Sequence, residues 1–269
     1  MTKALVTVMV FLGLVGLAEA QQPTCVLPRA DRVSPRLMAS VAESGGTFVY
    51  QYRITNQADA PQRLISLAVA ALSDPPAQTS PSGWEGEGRI ASSPFFVWNT
   101  YVEPRGLAAG ASATGFGFTT AAPPGIVRYL AWSDIELPVF HDGVDPECEN
   151  RDVLENSFKG TTVGPKTRPQ PFVAMDALNQ LIALLHESRR QQWILRDGVH
   201  QSMLTKLTTA KRRLEQGDTA GAKNNIDAFV LEVAGASCED FDCHGNPPAT
   251  SEAYAVLYFN GRYLSQHLP

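Results

Sequence analysis

The sequence predicts a two-part α+β protein, an antiparallel β-sandwich followed by an up-down four-helix bundle. Three observations carry this expectation. Upstream of Pro171 side chains alternate at every second position, as Phe48, Tyr50, Tyr52 and Ile54 do against Val49, Gln51 and Arg53. Downstream of it, apolar residues return every three or four positions, the period of a helix with one buried face. Between the two rhythms, residues 156–171 (NSFKGTTVGPKTRPQP) have the Gly, Thr and Pro content of a linker. A chain of 269 residues accommodates two small domains. The expected division is a signal peptide over 1–20, a sandwich over 21–155, a linker over 156–171 and a helical domain over 172–269.

Residues 1–20 carry the marks of an export signal. Lys3 supplies a positive start, Ala4 to Leu17 an apolar run, and Ala18-Glu19-Ala20 a small-x-small cleavage pattern. The run is short for a membrane span, and no later apolar stretch is long enough. The mature chain is therefore expected to start near Gln21, to reside in the periplasm or outside the cell, and to have no membrane partner. Export places the four cysteines in an oxidising compartment. Of the three possible connectivities, Cys25–Cys148 and Cys238–Cys243 are favoured. The first pair flanks the sandwich; the second closes a short polar loop. The formal charge of −5, without a long run of either sign, disfavours a nucleic-acid partner.

Along the first half, Leu37 to Val41 reads as an edge strand and Thr47 to Thr55 as a strong strand opened by Gly45-Gly46. Arg63 to Leu72 and Phe95 to Tyr101 follow as strands. Asp74 to Gly88, rich in Pro, Ser and Gly around Trp84, reads as a long loop. From Gly106 to Leu137, two extended segments flank a Pro123-Pro124-Gly125 turn and are expected to pair like a hairpin. Phe116 and Phe118 share one face of the first segment. Val127, Tyr129 and Ala131 share one face of the second; Ile126, Arg128, Leu130 and Trp132 share the other. Val153 to Thr162 could supply a last strand. Strands at this spacing, broken by turn chemistry, indicate an immunoglobulin-like sandwich.

Four helices are expected in the second half. Val173, Ala177, Leu181, Leu184 and Leu185 mark the first, with Pro171 near its start. Val199, Met203, Leu207, Ala210 and Leu214 mark the second, which ends at Gly217. Asp218 caps the third, whose inner face is Ala222, Ile226, Phe229, Val230 and Val233, with Gly235 as its stop. The fourth starts at Thr250 or Ser251 and carries Ala253, Val256, Leu257, Asn260 and Leu264 inward. Short connections make these an up-down bundle.

The segment LTKLTTAKRRLEQGDTAGAKNNIDAFVLEV, Leu204 to Val233, resembles the FIMAH-type helical module of secreted bacterial proteins. The matching positions are Leu204, Leu207, Ala210, Leu214, Gly217, Ala222, Ile226, Ala228, Phe229 and Val233, mostly packing and capping residues. TSEAYAVLYFNGRYLSQHL resembles the closing helix of such modules. The resemblance implies a fold and an exported bacterial setting, not an activity. The insertion from Ser237 to Ala249, with Cys238 and Cys243, departs from the family. The sandwich half looks like domains of other exported bacterial proteins through its Gly-Ala-Ser-x-x-Gly-Phe-x-Phe and Pro-Pro-Gly words.

No catalytic motif stands in the chain. There is no Gly-x-Ser-x-Gly elbow, and none of the five histidines sits in a motif with a nucleophile. His186, His200 and His267 fall on predicted helices and read as solvated or core-edge residues. The acidic loop HDGVDPECEN offers Asp142, Asp145 and Glu147 as hard oxygen ligands for calcium, though not at EF-hand spacing. The same loop, 142–149, is the place for a glycoside-acting hydrolase's carboxylates as the rival function. CEDFDCH reads as a disulfide rather than a zinc knuckle. The basic residues from Arg189 to Arg213 read as solvated helix faces. The non-enzymatic expectation is an interaction module without a cofactor, whose partner is an extracellular protein or polysaccharide. Trp84, Trp98, Tyr101 and Trp132 are the candidate sugar-stacking platform, with Trp84 the best surface ring.

Overall fold

The computed structural model describes residues 31–71, 77–89, 93–133, 155–241 and 246–268. Among them lie two antiparallel sheets and four helices. The strands are β1 (Pro35–Ser44), β2 (Thr47–Asn56), β3 (Leu64–Ala70), β4 (Ala77–Thr79), β5 (Glu85–Arg89), β6 (Phe95–Asn99), β7 (Ser112–Thr120), β8 (Pro124–Ser133) and β9 (Phe158–Pro165). One sheet has the order β1-β2-β7-β4, the other β5-β6-β3-β8-β9. These are the spatial orders of a nine-stranded immunoglobulin variable-type sandwich, although the chain here visits the β4 edge before β5 and β6.

The β1–β2 hairpin turns on Gly45 and Gly46, both at positive φ, which a two-residue hairpin loop requires. Two expectations from sequence are corrected. β7 and β8 do not pair: β7 lies between β2 and β4, while β8 lies between β3 and β9 in the other sheet. Pro123 and Pro124 lack amide donors, so the link carries the chain across the sandwich rather than closing a ladder. The expected linker is also half sheet, because Phe158–Pro165 pairs along β8 from Ala131 to Pro124. The long loop around Trp84 contains two short strands, β4 and β5.

The inner faces meet in an aromatic core. Trp98 of β6 packs on Tyr52, Phe116 and Phe118 at centroid distances of 6.3, 5.7 and 5.1 Å, and Phe96 packs on Phe118 at 5.6 Å. Three buried tyrosines tie separate parts of the sandwich through their hydroxyls. Tyr50 donates to Ala122 O at 2.7 Å, Tyr52 to Val163 O at 2.9 Å and Tyr129 to Pro35 O at 3.3 Å. Burial holds all three hydroxyls above the ordinary tyrosine pKa of 10.0. The native state keeps these protons after an unfolded chain has lost them. Stability is therefore expected to be level with respect to these groups below about pH 10 and to fall as pH rises above it. Denaturant midpoints measured across that range check this, and phenolate absorbance from the three rings should appear only with unfolding.

The helices are α1 (Ala174–Arg190), α2 (Asp197–Glu215), α3 (Thr219–Ala236) and α4 (Ser251–His267). Each packs on the next, and α4 packs back on α1. Gly217 at positive φ ends the α2 turn, and the Asp218 carboxylate caps α3 by accepting from Gly221 N–H at 2.8 Å. α4 also packs on β1, β8 and β9, so it lies across the side where the edge strands of the two sheets approach each other. Its Ser251 hydroxyl donates to Ala39 O at 2.8 Å, and its Glu252 carboxylate accepts from Ala39 N–H at 2.8 Å. Phe259 meets Phe48 edge-on at 5.3 Å, and Arg262 pairs with Glu43 at 3.1 Å. One contiguous set of buried apolar residues runs from the sandwich into the helices; it is not interrupted at 156–171.

Candidate functional site

The proposed sugar platform is taken apart by burial. Trp98 is fully buried, and its indole N–H donates to Thr79 O at 2.7 Å. Trp84, 9% exposed, lies edge-on to Phe116 at 4.9 Å and so belongs to the core. Trp132, 8% exposed, sits on the opposite face of its sheet with Ala68, Val97 and Leu130. Tyr101 is 54% exposed, its hydroxyl donating to Glu87. Stacking needs open ring faces side by side, and these four rings do not offer them. Asp142, Asp145, Glu147, Cys25, Cys148 and Cys243 lie outside the described residues, and so does the acidic loop 142–149. Cys238 follows α3. Among the described residues no group of three or more metal-ligating side chains converges, and no helix is long and apolar enough to cross a membrane.

The basic helix faces are largely neutralised. Arg189 pairs with Asp197, Arg190 with Glu187, Lys206 with Glu232 and Arg213 with Asp218. Two serines have a lysine beside them: Lys206 Nζ donates to Ser202 Oγ at 3.0 Å, and Lys223 Nζ to Ser265 Oγ at 2.6 Å. The buried Ser265 hydroxyl in turn donates to Asp227, whose carboxylate also lies 3.3 Å from the ammonium. A base that activates a nucleophile accepts its proton, and here the lysine donates. The trio clamps α3 to α4.

A different place gathers polar and aromatic groups. After β9 the chain runs through Lys166 to Val173 before α1, and between this connector, α1 and α4 opens a cleft of about 320 Å³. Arg168, half-buried, is part of its lining. The guanidinium lies 3.8 Å from the centroid of the Tyr263 ring, with Nε 3.4 Å from Asn260 Oδ1 and Nη2 3.5 Å from Phe259 O. Desolvation pulls the Arg168 pKa down, against the raising influence of Tyr263, Tyr50 and Glu43; an arginine remains a cation regardless. Asn260 is fixed in turn, donating to Pro124 O at 2.9 Å and Val256 O at 2.7 Å. Phe172 lies edge-on to Tyr263 at 5.8 Å. Asp176, Asn179 and Gln180 of α1 stand exposed along the rim. A second cavity of about 560 Å³ adjoins it and shares Arg168, Gln180, Leu184 and Asn260, adding Lys166 and Arg190.

The groups lining the first cleft are hydrogen-bond donors, acceptors, apolar side chains and the aromatic residues Phe172 and Tyr263, with Asp176 its one carboxylate. The volume lies within the range of about 300–1,000 Å³ usual for small-molecule sites. Sequence contained one signal for it: Asn260 is a polar residue on the inward stripe of a predicted helix. Arg168 carried none, since an arginine between prolines reads as solvated linker.

No family model matches the chain, and no curated protein matches it. Among solved structures, an uncharacterized protein from Nocardia farcinica with an immunoglobulin-like fold is 16% identical, over 46% of this chain and 96% of that one, with a TM-score of 0.30. A chain of the type VI secretion system TssK-TssF-TssG baseplate subcomplex is 12% identical, over 87% of this chain and 85% of that one, with a TM-score of 0.19.

Proposed function

We propose that the protein is an exported, non-enzymatic interaction module that holds an extracellular or cell-surface polysaccharide in the cleft between the connector, α1 and α4. The observation that carries this reading is the cleft's lining. One fixed amide, two exposed ones, a guanidinium and two aromatic rings line a volume open to solvent, the mixture that sugar hydroxyls and ring C–H groups call for. The leader-like residues 1–20 support export, and an oxidising compartment would pair Cys25 with Cys148 and Cys238 with Cys243. The resemblance of Leu204 to Val233 to the FIMAH-type module supports a bacterial setting, with the helices as a bundle appended to an immunoglobulin-like domain.

The rim residues Asn179 and Gln180 are exposed and make no packing contribution to the core, so they can be altered without touching the fold. Affinity electrophoresis of the purified protein through gels containing cell-surface polysaccharides should show retardation by at least one of them. Asn179→Ala with Gln180→Ala should weaken that retardation about tenfold, the loss of one or two hydrogen bonds. Unchanged retardation of the double variant would remove the cleft as the binding site.

A further inference from the structure

We infer that the cleft is selective for acidic sugars, with Arg168 as the counter-charge for a carboxylate; this rests on the cleft being the polysaccharide site. A guanidinium has five N–H donors in a rigid fork. The hydrogen bonds of Arg168 use two of them, at 3.4 and 3.5 Å and to neutral oxygens. One face of its plane is covered by Tyr263. No ion pair to it is found among the described residues, whereas Arg189, Arg190, Arg213 and Arg262 each have a carboxylate within reach. Arg168 is nonetheless the arginine whose desolvation is large enough to lower its pKa. A partly desolvated cation without a counter-ion is costly, and such groups are ordinarily paired. Arg168 lines the cleft, so the missing anion is one that arrives with a ligand.

The rest of the lining narrows the class. Asp176 on the rim repels a bare anion but accepts hydrogen bonds from hydroxyls. Asn179 and Gln180 both donate and accept. A ligand that satisfies all of them carries one planar anionic group and several hydroxyls, which describes a uronate residue in a polysaccharide. The fork of arginine matches a planar carboxylate, which it binds through two parallel hydrogen bonds. Lys166, which lines the adjoining cavity, would lie along the path of an extended chain of like residues.

The test measures binding of the wild-type protein to polygalacturonate, to the same polymer fully methyl-esterified, to dextran sulfate and to unmodified dextran. Polygalacturonate should bind at least about tenfold more tightly than its ester, which has lost the charge but kept the hydroxyls. Its affinity should fall as salt rises. Arg168→Gln should lower affinity for polygalacturonate about 10- to 100-fold and lower that for the ester by much less, so that the acid–ester difference collapses, with Arg168→Lys between wild type and Arg168→Gln. Should Arg168→Gln fail to fold, the acid–ester comparison on the unaltered protein still decides the matter. Equal binding of acid and ester would overturn the inference, and the cleft would remain the site if Asn179→Ala with Gln180→Ala weakened both. Tighter binding of dextran sulfate than of polygalacturonate would overturn the carboxylate assignment. Binding of none of the four would overturn it together with the polysaccharide reading.

Discussion

Trp98→Ala should cost about 3–5 kcal/mol, the usual range when a large buried ring is removed. The indole is fully enclosed and touches Tyr52, Phe116 and Phe118, all from the facing sheet. None of these rings can close the gap without leaving its own contacts. The variant also strands Thr79 O, to which the indole N–H donates. Because β4 is only three residues long, that bond is a large share of what holds the strand to the sandwich. Trp98→Phe keeps most of the ring volume and loses this bond together with the packing of one small ring, so it should cost less, about 1–3 kcal/mol. Chemical denaturation followed by far-UV circular dichroism measures both. Domains typically have only about 5–15 kcal/mol of stability, so the alanine variant should be close to unfolding. Since the apolar core is continuous from the sandwich into the helices, the helical signal should be lost at the same denaturant concentration as the sheet signal. A helical transition that stays at its wild-type midpoint in Trp98→Ala would show that the two parts are energetically separate.

Local periodicity made the four helices legible, and Asp218 and Gly217 lie where capping chemistry places them. The buried stripes are only partly the predicted ones: in α1 Leu178 is buried while Val173, before the helix, is exposed, α3 runs past Gly235 to Ala236, and α4 is buried nearly all round because it packs on the sheets as well as on the helices. β2 was equally plain, because a strand buried on one face and half-open on the other has to alternate. What was not legible is pairing. The inward faces of β7 and β8 are the same whether the strands are neighbours or face each other across the core, so period-two patterning cannot choose between them. β5, Glu85–Arg89, contains two glycines and no apolar side chain, and only its ladder with β6 makes it a strand. The cleft was hidden for a related reason. Arg168, Tyr263 and Gln180 are ordinary surface residues in their own segments, and their meaning comes from the connector crossing α4. The tryptophans misled in the opposite direction, since a large ring in a Gly-rich loop looks exposed until a neighbouring strand supplies Phe116.

Glu252 shows how far a surface-looking residue can be from the surface, and it sets a second large effect. A carboxylate in the first turn of a helix is ordinarily solvated and favoured by the helix dipole. Here it is 4% exposed, and its Oε1 takes the outward amide of Ala39 on edge strand β1 while Ser251 takes the carbonyl of the same residue. An exposed edge invites pairing with another chain; α4 blocks this one with two side chains. Glu252→Ala should therefore cost about 2–3 kcal/mol by leaving a buried amide unpaired, and it should raise the tendency to aggregate. Glu252→Gln keeps the accepting oxygen and the shape, and it separates charge from hydrogen bonding. Burial raises the Glu252 pKa above its ordinary value of 4.5, opposed by the Ala39 amide. The folded protein then holds this proton at pH values where the unfolded chain has released it. The carboxyl's contribution is complete below about pH 4.5 and is lost as pH rises through the native pKa. The stability of Glu252→Gln relative to wild type should accordingly be higher at pH 7 than at pH 4. Denaturation curves for the pair at the two pH values measure this difference directly. An unchanged difference would mean that Glu252 ionises in the folded protein as readily as in water, and that the clamp on β1 works at no electrostatic cost.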